Sequence, residues 1–330
     1  MAMIDCDPVQ DSFRQWRYET PLKILKGIVN GITRRYLVGE GVNKQWHAPT
    51  IPHIWRDLTC DLHEITMGVY TLFNQDRTVE NEMNEDVVAA LLSGSRHGWK
   101  SVSLATTAIL GRVTMSALAM HYSTLEELHV DGSKDLPTWY LVQVPSSCNR
   151  LYTLSYTNMC DGSSVVDGMA FVDLDPDTGL LKPWLCEGSL KMLDVKIAEI
   201  PRPDLESESI VAEAYPGQGR ETQSLVYDRL GRLTHLEALR LGNRYGRFYQ
   251  HDCLEMSLES GLDKLSGLKS LEILDVRKLE TKIGIKELQW MVENWPKIGA
   301  IYGLDDCRRH VEAVKWLREN CPKMALERFL

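Results

Sequence analysis

The chain has 330 residues, of which 44% are hydrophobic and 25% charged, and its formal net charge is −9. This acidic balance argues against nucleic acid as a partner, because phosphate binding requires a basic surface. No run of about 18 apolar residues occurs and the first residues include no apolar core, so we expect neither a membrane span nor a signal peptide. The eight cysteines form no Cys-x-x-Cys pair, which predicts reduced, mostly buried thiols in a cytoplasmic or nuclear protein, with no metal site and no cofactor.

After an N-terminal tail of residues 1–19, residues 20–60 carry three short motifs, "PLKILKGI", "VNKQW" and "PHIW". Their order and spacing resemble an F-box, whose pattern is roughly L-P-x-E-I-L-x-x-I, then V-x-x-x-W, then P-x-L-W. The chain departs from this pattern at Thr20, which replaces the leading leucine, and at Lys23, which replaces the acidic residue. Glycines also weaken the predicted helices, because an interior glycine costs roughly 1 kcal/mol relative to alanine.

The F-box resemblance implies a small three-helix region that docks on the Skp-family adaptor protein of a cullin–RING ubiquitin ligase. In such a region the first motif would form the apolar docking ridge, and the two tryptophans would brace the helices. The implied adaptor-binding residues are Pro21, Ile24, Leu25, Ile28, Trp46 and Trp55. Without the resemblance, the same residues predict a helical cap over the open end of a repeat array, since repeat arrays need such caps.

From residue 61 to residue 330, the hexamer L-x-x-L-x-[LV] and looser copies of it recur along the chain. The copies span residues 99–104, 125–130, 151–156, 190–195, 236–241, 271–276 and 298–303, and one further loose copy, "WRDLTC", begins at Trp55. Any amphipathic helix produces an isolated L-x-x-L, but starts spaced 26, 26, 39, 46, 35 and 27 residues apart predict a leucine-rich repeat with long insertions. The asparagine or cysteine usual eight residues after the first leucine is missing, so the repeats are expected to be irregular.

Each hexamer has two faces, because side chains alternate along a strand. Positions 4 and 6 are apolar in the hexamers that begin at residues 125, 190, 236 and 271, so each strand should bury this face against a following helix. Predicted helices include residues 84–98, "IKELQWMVENWP" and "HVEAVKWLRENCP", of which the last two end at a proline. We therefore predict an α/β fold, a leucine-rich-repeat solenoid with a curved parallel sheet and outer helices. Its position-4 leucines should be almost fully buried: Leu128, Leu193, Leu239 and Leu274.

Two long strings carry a further resemblance. They are "KPWLCEGSLKMLDVKIAEIPRPD", which begins at Lys182, and "LQWMVENWPKIGAIYGL", which begins at Leu288. From about Leu91 onward the chain resembles fungal leucine-rich-repeat proteins, especially those of Mortierella-type soil moulds, within the ribonuclease-inhibitor-like repeat superfamily. Many such proteins carry an F-box at the amino terminus, and the resemblance implies that the repeats capture the protein to be ubiquitinated.

Position 5 of each hexamer is expected to point away from the core. The residues at this position are Ser103, His129, Ser155, Asp194, Arg240, Asp275 and Tyr302. This row is polar throughout, so we predict a charge-guided contact with an unknown target protein through His129, Asp194, Arg240, Asp275 and Tyr302. The alternative is that the row is only the solvated side of a sheet. Insertions near 157–189, 198–235 and 243–262 either add apolar contacts or are solvated loops without a partner.

Three other motifs could carry chemistry, and each has a simpler explanation. "DLDPDTG" at Asp173 resembles the start of a calcium loop, but Thr178 and Trp184 stand where glycine and glutamate are needed, which favours an acidic turn. "HDC" at His251 could pair a base with a nucleophile, although neighbours in a chain rarely share a site. "GQGRET" at Gly217 lacks the lysine and the helix start of a phosphate loop.

These patterns predict a non-catalytic substrate-recognition adaptor of an SCF-type ubiquitin ligase. It would bind a Skp-family protein through residues 20–60 and a target protein through the repeats. The alternative is a free-standing leucine-rich-repeat scaffold that binds protein partners and has no link to a ligase.

Overall fold

The computed structural model describes residues 64–67, 85–93, 95, 98–104, 111–131, 138–157, 166–200, 202, 218–242, 252–304 and 310–325. The strands are β1 (Glu64–Met67), β2 (Ser101–Leu104), β3 (Glu127–Asp131), β4 (Thr153–Thr157), β5 (Val166–Asp167), β6 (Met192–Val195), β7 (Ile197–Ala198), β8 (Ala238–Arg240), β9 (Ile273–Asp275) and β10 (Ala300–Tyr302). The helices are α1 (Glu85–Ser93), α2 (Arg112–Ala119), α3 (Thr138–Ser147), α4 (Gly168–Val172), α5 (Gln218–Gly231), α6 (Ile285–Asn294) and α7 (Val311–Asn320). Two short 3-10 helices, Leu258–Ser260 and Leu262–Gly267, precede β9.

Eight strands form one sheet in the order β1-β2-β3-β4-β6-β8-β9-β10, and every neighbouring pair is parallel. Strands β5 and β7 form a separate parallel pair. Each of the seven hexamers from residue 99 onward supplies one strand of the large sheet, and consecutive hexamers are neighbours. The predicted α/β class and the predicted chain order of parallel strands are therefore confirmed.

The sheet has one more strand than those hexamers supply. Strand β1 pairs with β2 so that Ile65 lies opposite Val102. By this register Ile65 is the fourth position of "LHEITM", a hexamer that the sequence analysis did not identify. The loose copy that we placed at Trp55 lies outside the described residues, as does the whole of the F-box-like region.

The apolar faces of the strands form one side of the core. The position-4 residues lie directly opposite one another in the register, and Leu128, Leu193, Leu239 and Leu274 are all fully buried, as predicted. They belong to a single apolar cluster with the inward side chains of the helices, among them Leu118, Val144, Leu230, Met291 and Leu317. Because positions 4 and 6 contact the helices, position 5 faces the other side of the sheet.

The repeated phrases "WMVENWPKI" and "WLRENCPKM" are matching helix ends. Helices α6 and α7 stop at Asn294 and Asn320, two residues before a proline in each case. Each asparagine donates from its side chain to the carbonyl four residues earlier, at 3.0 Å to Trp290 and 2.8 Å to Trp316. The residue after each asparagine also keeps a last helical hydrogen bond. Helix α6 leads into β10, and after α7 the backbone at Ala325 forms an isolated parallel bridge with Ala300.

Helix α1 is shorter than predicted. We expected it to run from residue 84 to residue 98, but it ends at Ser93. The carbonyl of Leu92 accepts a hydrogen bond from Trp99 Nε1 at 2.8 Å and lies 2.8 Å from His121 Nε2. These two side chains complete the last turn, so the chain can leave the helix before Gly98, which has a φ of +83°.

The described parts of two predicted insertions are packed elements. Helix α4 packs between α3 and α5, and α5 spans 14 residues of the predicted insertion near 198–235. The interpretation of "GQGRET" as lacking a helix start was wrong, because α5 begins at Gln218 inside that string. Its Thr222 and Gln223 are buried, so this segment packs against the core.

Candidate partner-binding face of the parallel sheet

The sheet brings the position-5 residues into one row across its strands. The register pairs Ser103 with His129, His129 with Ser155, Ser155 with Asp194, Asp194 with Arg240, Arg240 with Asp275 and Asp275 with Tyr302. Thr66 of β1 lies opposite Ser103 and extends the row by one strand. All five predicted partner-binding residues are therefore adjacent in space, although they are distributed over more than 170 positions of the sequence. We call this set, from Thr66 to Tyr302, the polar row.

The half of the polar row toward the carboxyl terminus is charged. Arg240 Nη1 lies 3.5 Å from Asp194 Oδ2. Asp275, with only 2% of its surface exposed, accepts hydrogen bonds from the backbone N–H of Arg277 at 3.1 Å and from its Nε at 2.9 Å. Arg277 Nη2 also pairs with this carboxylate, and the guanidinium carbon lies 5.4 Å from the centre of the Tyr302 ring. A cation at that distance is attracted by the ring face.

The sequence analysis did not single out Arg277, although the alternation rule could have found it. Alternation along a strand predicts position 7 on the same face as position 5. Arg277 lies in the turn after β9, and its pair with the Asp275 carboxylate places its side chain on that face. Its backbone passes between Gly242 and Gly303, where an added Cβ would collide with Arg277 atoms in both cases. Gly303 also has a φ of +103°, a conformation that L side chains rarely adopt. These glycines let the chain segments after β8, β9 and β10 approach closely.

The half of the polar row toward the amino terminus is uncharged and small. Ser103 and His129 are half-buried and Ser155 is buried. Beside them, Glu127 accepts a hydrogen bond from Ser101 Oγ at 2.8 Å and another from the Tyr152 hydroxyl. Within the described ranges, no hydrogen bond or ion pair engages the side chain of His129. This half offers hydroxyl and imidazole groups to a partner but no charge pair.

Two buried arginines that the sequence did not reveal fix the elements on the helical side. Arg229 of α5 donates to the carbonyls of Val172 and Lys182, both at 2.5 Å, and lies 3.4 Å from Glu187. Its guanidinium carbon is 4.8 Å from the centre of the Trp184 ring. Burial lowers the pKa of Arg229 to about 10, and the side chain remains charged at neutral pH.

The second of these arginines is Arg202, which is fully buried at the end of the segment after β7. It donates to the carbonyl of Glu280 at 2.6 Å and lies 4.0 Å from the carboxylate of Glu255. Glu255 in turn pairs with Lys282 at 3.2 Å. This network joins segments that follow three different strands of the two sheets, and it packs them as one unit.

Of the other motifs that we considered, the structure describes the calcium-like string completely and the "HDC" string in part. Residues 173–181 form the predicted acidic turn, in which Asp175 Oδ1 accepts from the backbone N–H groups of Asp177 at 2.9 Å and Thr178 at 3.0 Å. Cys253 is fully buried, and burial raises the pKa of its thiol to about 11. His251 lies outside the described residues. Within the described ranges, no three His, Cys, Asp or Glu side chains cluster as a metal would require.

The implied adaptor-binding residues, from Pro21 to Trp55, lie outside the described residues. None of the helices in the described ranges combines the length and the apolar character that crossing a membrane requires. Comparisons of this sequence with models of known protein families and with curated proteins gave no match.

Proposed function

We propose that the chain is a leucine-rich-repeat solenoid that serves as the substrate-recognition adaptor of a cullin–RING ubiquitin ligase of the SCF type. In this role it catalyses nothing itself. It acts in the cytoplasm or nucleus, binds a Skp-family protein through residues 20–60, and binds the target protein through the polar row.

The observation that supports this proposal is the alignment of the polar row. Eight parallel strands follow one another in chain order, and one polar side chain from each of the seven hexamers from residue 99 onward faces away from the helices. Repeat proteins of this architecture use such extended faces to bind other proteins. A row of paired charges beside hydroxyl groups suits recognition of a polar protein surface better than it suits an apolar small molecule.

The ligase role rests on the order of the motifs in residues 20–60. An adaptor accelerates ubiquitin transfer by holding the target close to the ligase, which raises its effective concentration without any new chemistry. Such a function needs two separate binding surfaces and no catalytic residue. The F-box-like motifs and the polar row would supply these two surfaces.

The decisive experiment is binding of the full chain to a purified Skp-family adaptor protein. We expect a stable complex at micromolar concentrations, and we expect deletion of residues 1–60 to abolish it. The double substitution Leu25→Asp and Ile28→Asp should abolish the complex as well, because charges on the docking ridge cannot be buried without a partner. A matched double substitution on the exposed side of α7, Glu312→Lys and Glu319→Lys, should leave the complex intact.

Absence of a complex with the intact chain would overturn the ligase role. The free-standing scaffold would then be the better explanation, because it depends only on the polar row.

A further inference from the structure

Arg240 stands out in the polar row because its terminal nitrogens are nearly unused. Its guanidinium has five N–H groups, and its one partner in the described part of the chain is Asp194, at 3.5 Å from Nη1. That distance is longer than the roughly 2.7–2.9 Å of a good charge-assisted hydrogen bond. The side chain is 25% exposed, so solvent reaches its outer end.

The neighbouring side chains that the structure describes do not accept hydrogen bonds from the remaining N–H groups of Arg240. Asp275, which lies directly opposite in the register, turns its two oxygens to the backbone N–H, Nε and Nη2 of Arg277. Arg240 Nε is buried, and it has no hydrogen-bond partner among the described residues. The carboxylate of Asp275 is therefore fully occupied by Arg277, and the guanidinium of Arg240 keeps N–H groups without an acceptor among the described residues.

An unpaired Nε alone does not mark a binding site, because Arg229 Nε is unpaired as well. The two arginines differ at their terminal nitrogens. Those of Arg229 donate to backbone carbonyls at 2.5 Å, and the Trp184 ring covers its guanidinium. Within the described part of the chain, those of Arg240 have one contact, at 3.5 Å, and the side chain is partly exposed on the side of the sheet opposite the helices.

We propose that Arg240 binds a carboxylate of the target protein, supplied by an acidic side chain in the segment that lies on the polar row. A carboxylate matches the planar fork of a guanidinium and can accept two parallel hydrogen bonds. It would take them from Nη2 and, after a small rotation of the side chain, from Nε, which gains the acceptor that it lacks.

The charges around Arg240 permit this approach. Asp194, Arg240, Asp275 and Arg277 together carry no net charge, so these four side chains exert no net repulsion on an incoming acid. A basic side chain of a partner would find fewer acceptors here, because both carboxylate oxygens of Asp275 are occupied. The inference rests on the proposed use of the polar row for target binding, but it does not depend on the ligase role.

The test uses the full chain and three synthetic probes, the N-acetylated amides of hexaglutamate, hexaglutamine and hexalysine. Titration is followed through the side-chain Nε–Hε resonance of Arg240 in nitrogen-15 NMR spectra, assigned with the Arg240→Gln variant. We expect hexaglutamate to shift this resonance and hexaglutamine to leave it in place. Arg240→Gln should weaken hexaglutamate binding by at least about tenfold, because the bidentate contact is lost.

Two further variants separate fork geometry from net charge. Arg240→Lys keeps the charge and loses the fork, so it should recover only part of the affinity. Arg150→Gln removes an exposed arginine that lies outside the polar row, and it should bind hexaglutamate as the unmodified chain does. Each variant should keep the melting temperature of the parent, which excludes unfolding as the cause.

Three results would overturn the carboxylate site. They are no shift of the Arg240 resonance with millimolar hexaglutamate, equal affinity in the Arg240→Gln variant, and a shift of the Arg240 resonance by hexalysine as large as that by hexaglutamate. The Skp-family binding experiment is independent of these measurements because it depends on residues 20–60. Failure of one proposal can therefore be distinguished from failure of the other.

Discussion

Arg229 and Arg240 lie on consecutive elements, α5 and β8, and the fold uses them in opposite ways. Arg229 is fully buried on the helical side, where it holds the segment around Lys182 against α5. Arg240 lies on the opposite face of the sheet, where it is partly exposed and makes one contact with the described residues, at 3.5 Å. The same side chain therefore stabilises the fold in one position and remains available to a ligand in the other. The role of each arginine depends on whether its terminal nitrogens find hydrogen-bond acceptors within the chain.

The largest effect should come from removing the buried cation. We expect Arg229→Gln to lower the free energy of unfolding by about 3–5 kcal/mol, because breaking a buried, hydrogen-bonded charge pair leaves its partners unsatisfied. Here the carbonyls of Val172 and Lys182 and the carboxylate of Glu187 would lose their donor. Chemical denaturation measures this loss.

A matched variant on the same helix provides the control. Arg232 is largely exposed, and its contact with Glu187 is 3.9 Å long. Arg232→Gln should change stability by less than about 0.5 kcal/mol, since exposed ion pairs contribute little. Equal losses of unfolding free energy in the two variants would mean that the contacts of Arg229 do not stabilise the fold more than those of an exposed arginine.

The second largest effect is expected for the buried leucines at position 4 of the hexamers. Leu239 precedes Arg240 and points to the opposite side of the sheet, where it is fully buried. Leu239→Ala should cost about 2–5 kcal/mol, through lost burial and the cavity that remains. The same substitution at Leu128, Leu193 and Leu274 should fall in this range.

A loss below about 1 kcal/mol at most of these leucines would contradict the register of the sheet. Denaturation of each variant is sufficient, with unchanged urea dependence as evidence that the unfolded state has not altered.

The sequence predicts contacts that follow a regular spacing of side chains, but it does not predict contacts with backbone atoms. The polar row and the position-4 leucines follow from a period of two, which each hexamer displays locally. Arg229 could not be found in this way, because its partners are backbone carbonyls, which every residue type supplies. Strand β1 was missed because its hexamer carries Ile65 and Met67 where the pattern favours leucine or valine, and because Trp55 began a competing match.

The packed insertions were missed for a related reason. Residues 166–189 contain short elements whose burial depends on Trp184 and on the Arg229 contact, and neither forms a periodic pattern. The first turn of α5 contains glycine, arginine and glutamate, so its apolar spacing begins only after the helix has started. Tertiary contacts decide the structure of both segments.

A smaller effect is expected for the exposed arginine. Arg240→Gln should change the free energy of unfolding by less than about 1 kcal/mol, because the pair that it removes is long and partly exposed. Thermal unfolding of Arg240→Gln beside Arg229→Gln gives the comparison directly, with one substitution at two sites. A loss at Arg240 as large as that at Arg229 would show that Arg240 is structural, and the polar row would lose its best candidate for ligand binding.

The smallest effect is expected for His121, a buried side chain with one paired and, among the described residues, one unpaired ring nitrogen. His121 is buried, its Nε2 lies 2.8 Å from the carbonyl of Leu92, and no described residue makes a hydrogen bond with its Nδ1. The carbonyl can only accept, so Nε2 carries the proton of the neutral ring and donates it. Protonation would place a second N–H on Nδ1, where no acceptor is present. Burial therefore lowers the pKa of His121 below its usual 6.5, although the Leu92 hydrogen bond opposes this shift.

This lowered pKa makes stability depend on pH in a defined direction. Below about pH 6.5 the unfolded chain binds a proton at this histidine more readily than the folded chain does. The stability associated with neutral His121 is thus fully present above that pH, falls as the pH drops, and levels off below the folded pKa. His121→Gln keeps a donor for the Leu92 carbonyl but cannot be protonated, so its loss of stability relative to the parent should shrink as the pH falls from about 8 to 5. Unfolding free energies of the two proteins, measured by urea denaturation across this range, test the prediction. A difference that is constant with pH would mean that His121 titrates alike in both states, and that its unpaired nitrogen is reached by solvent.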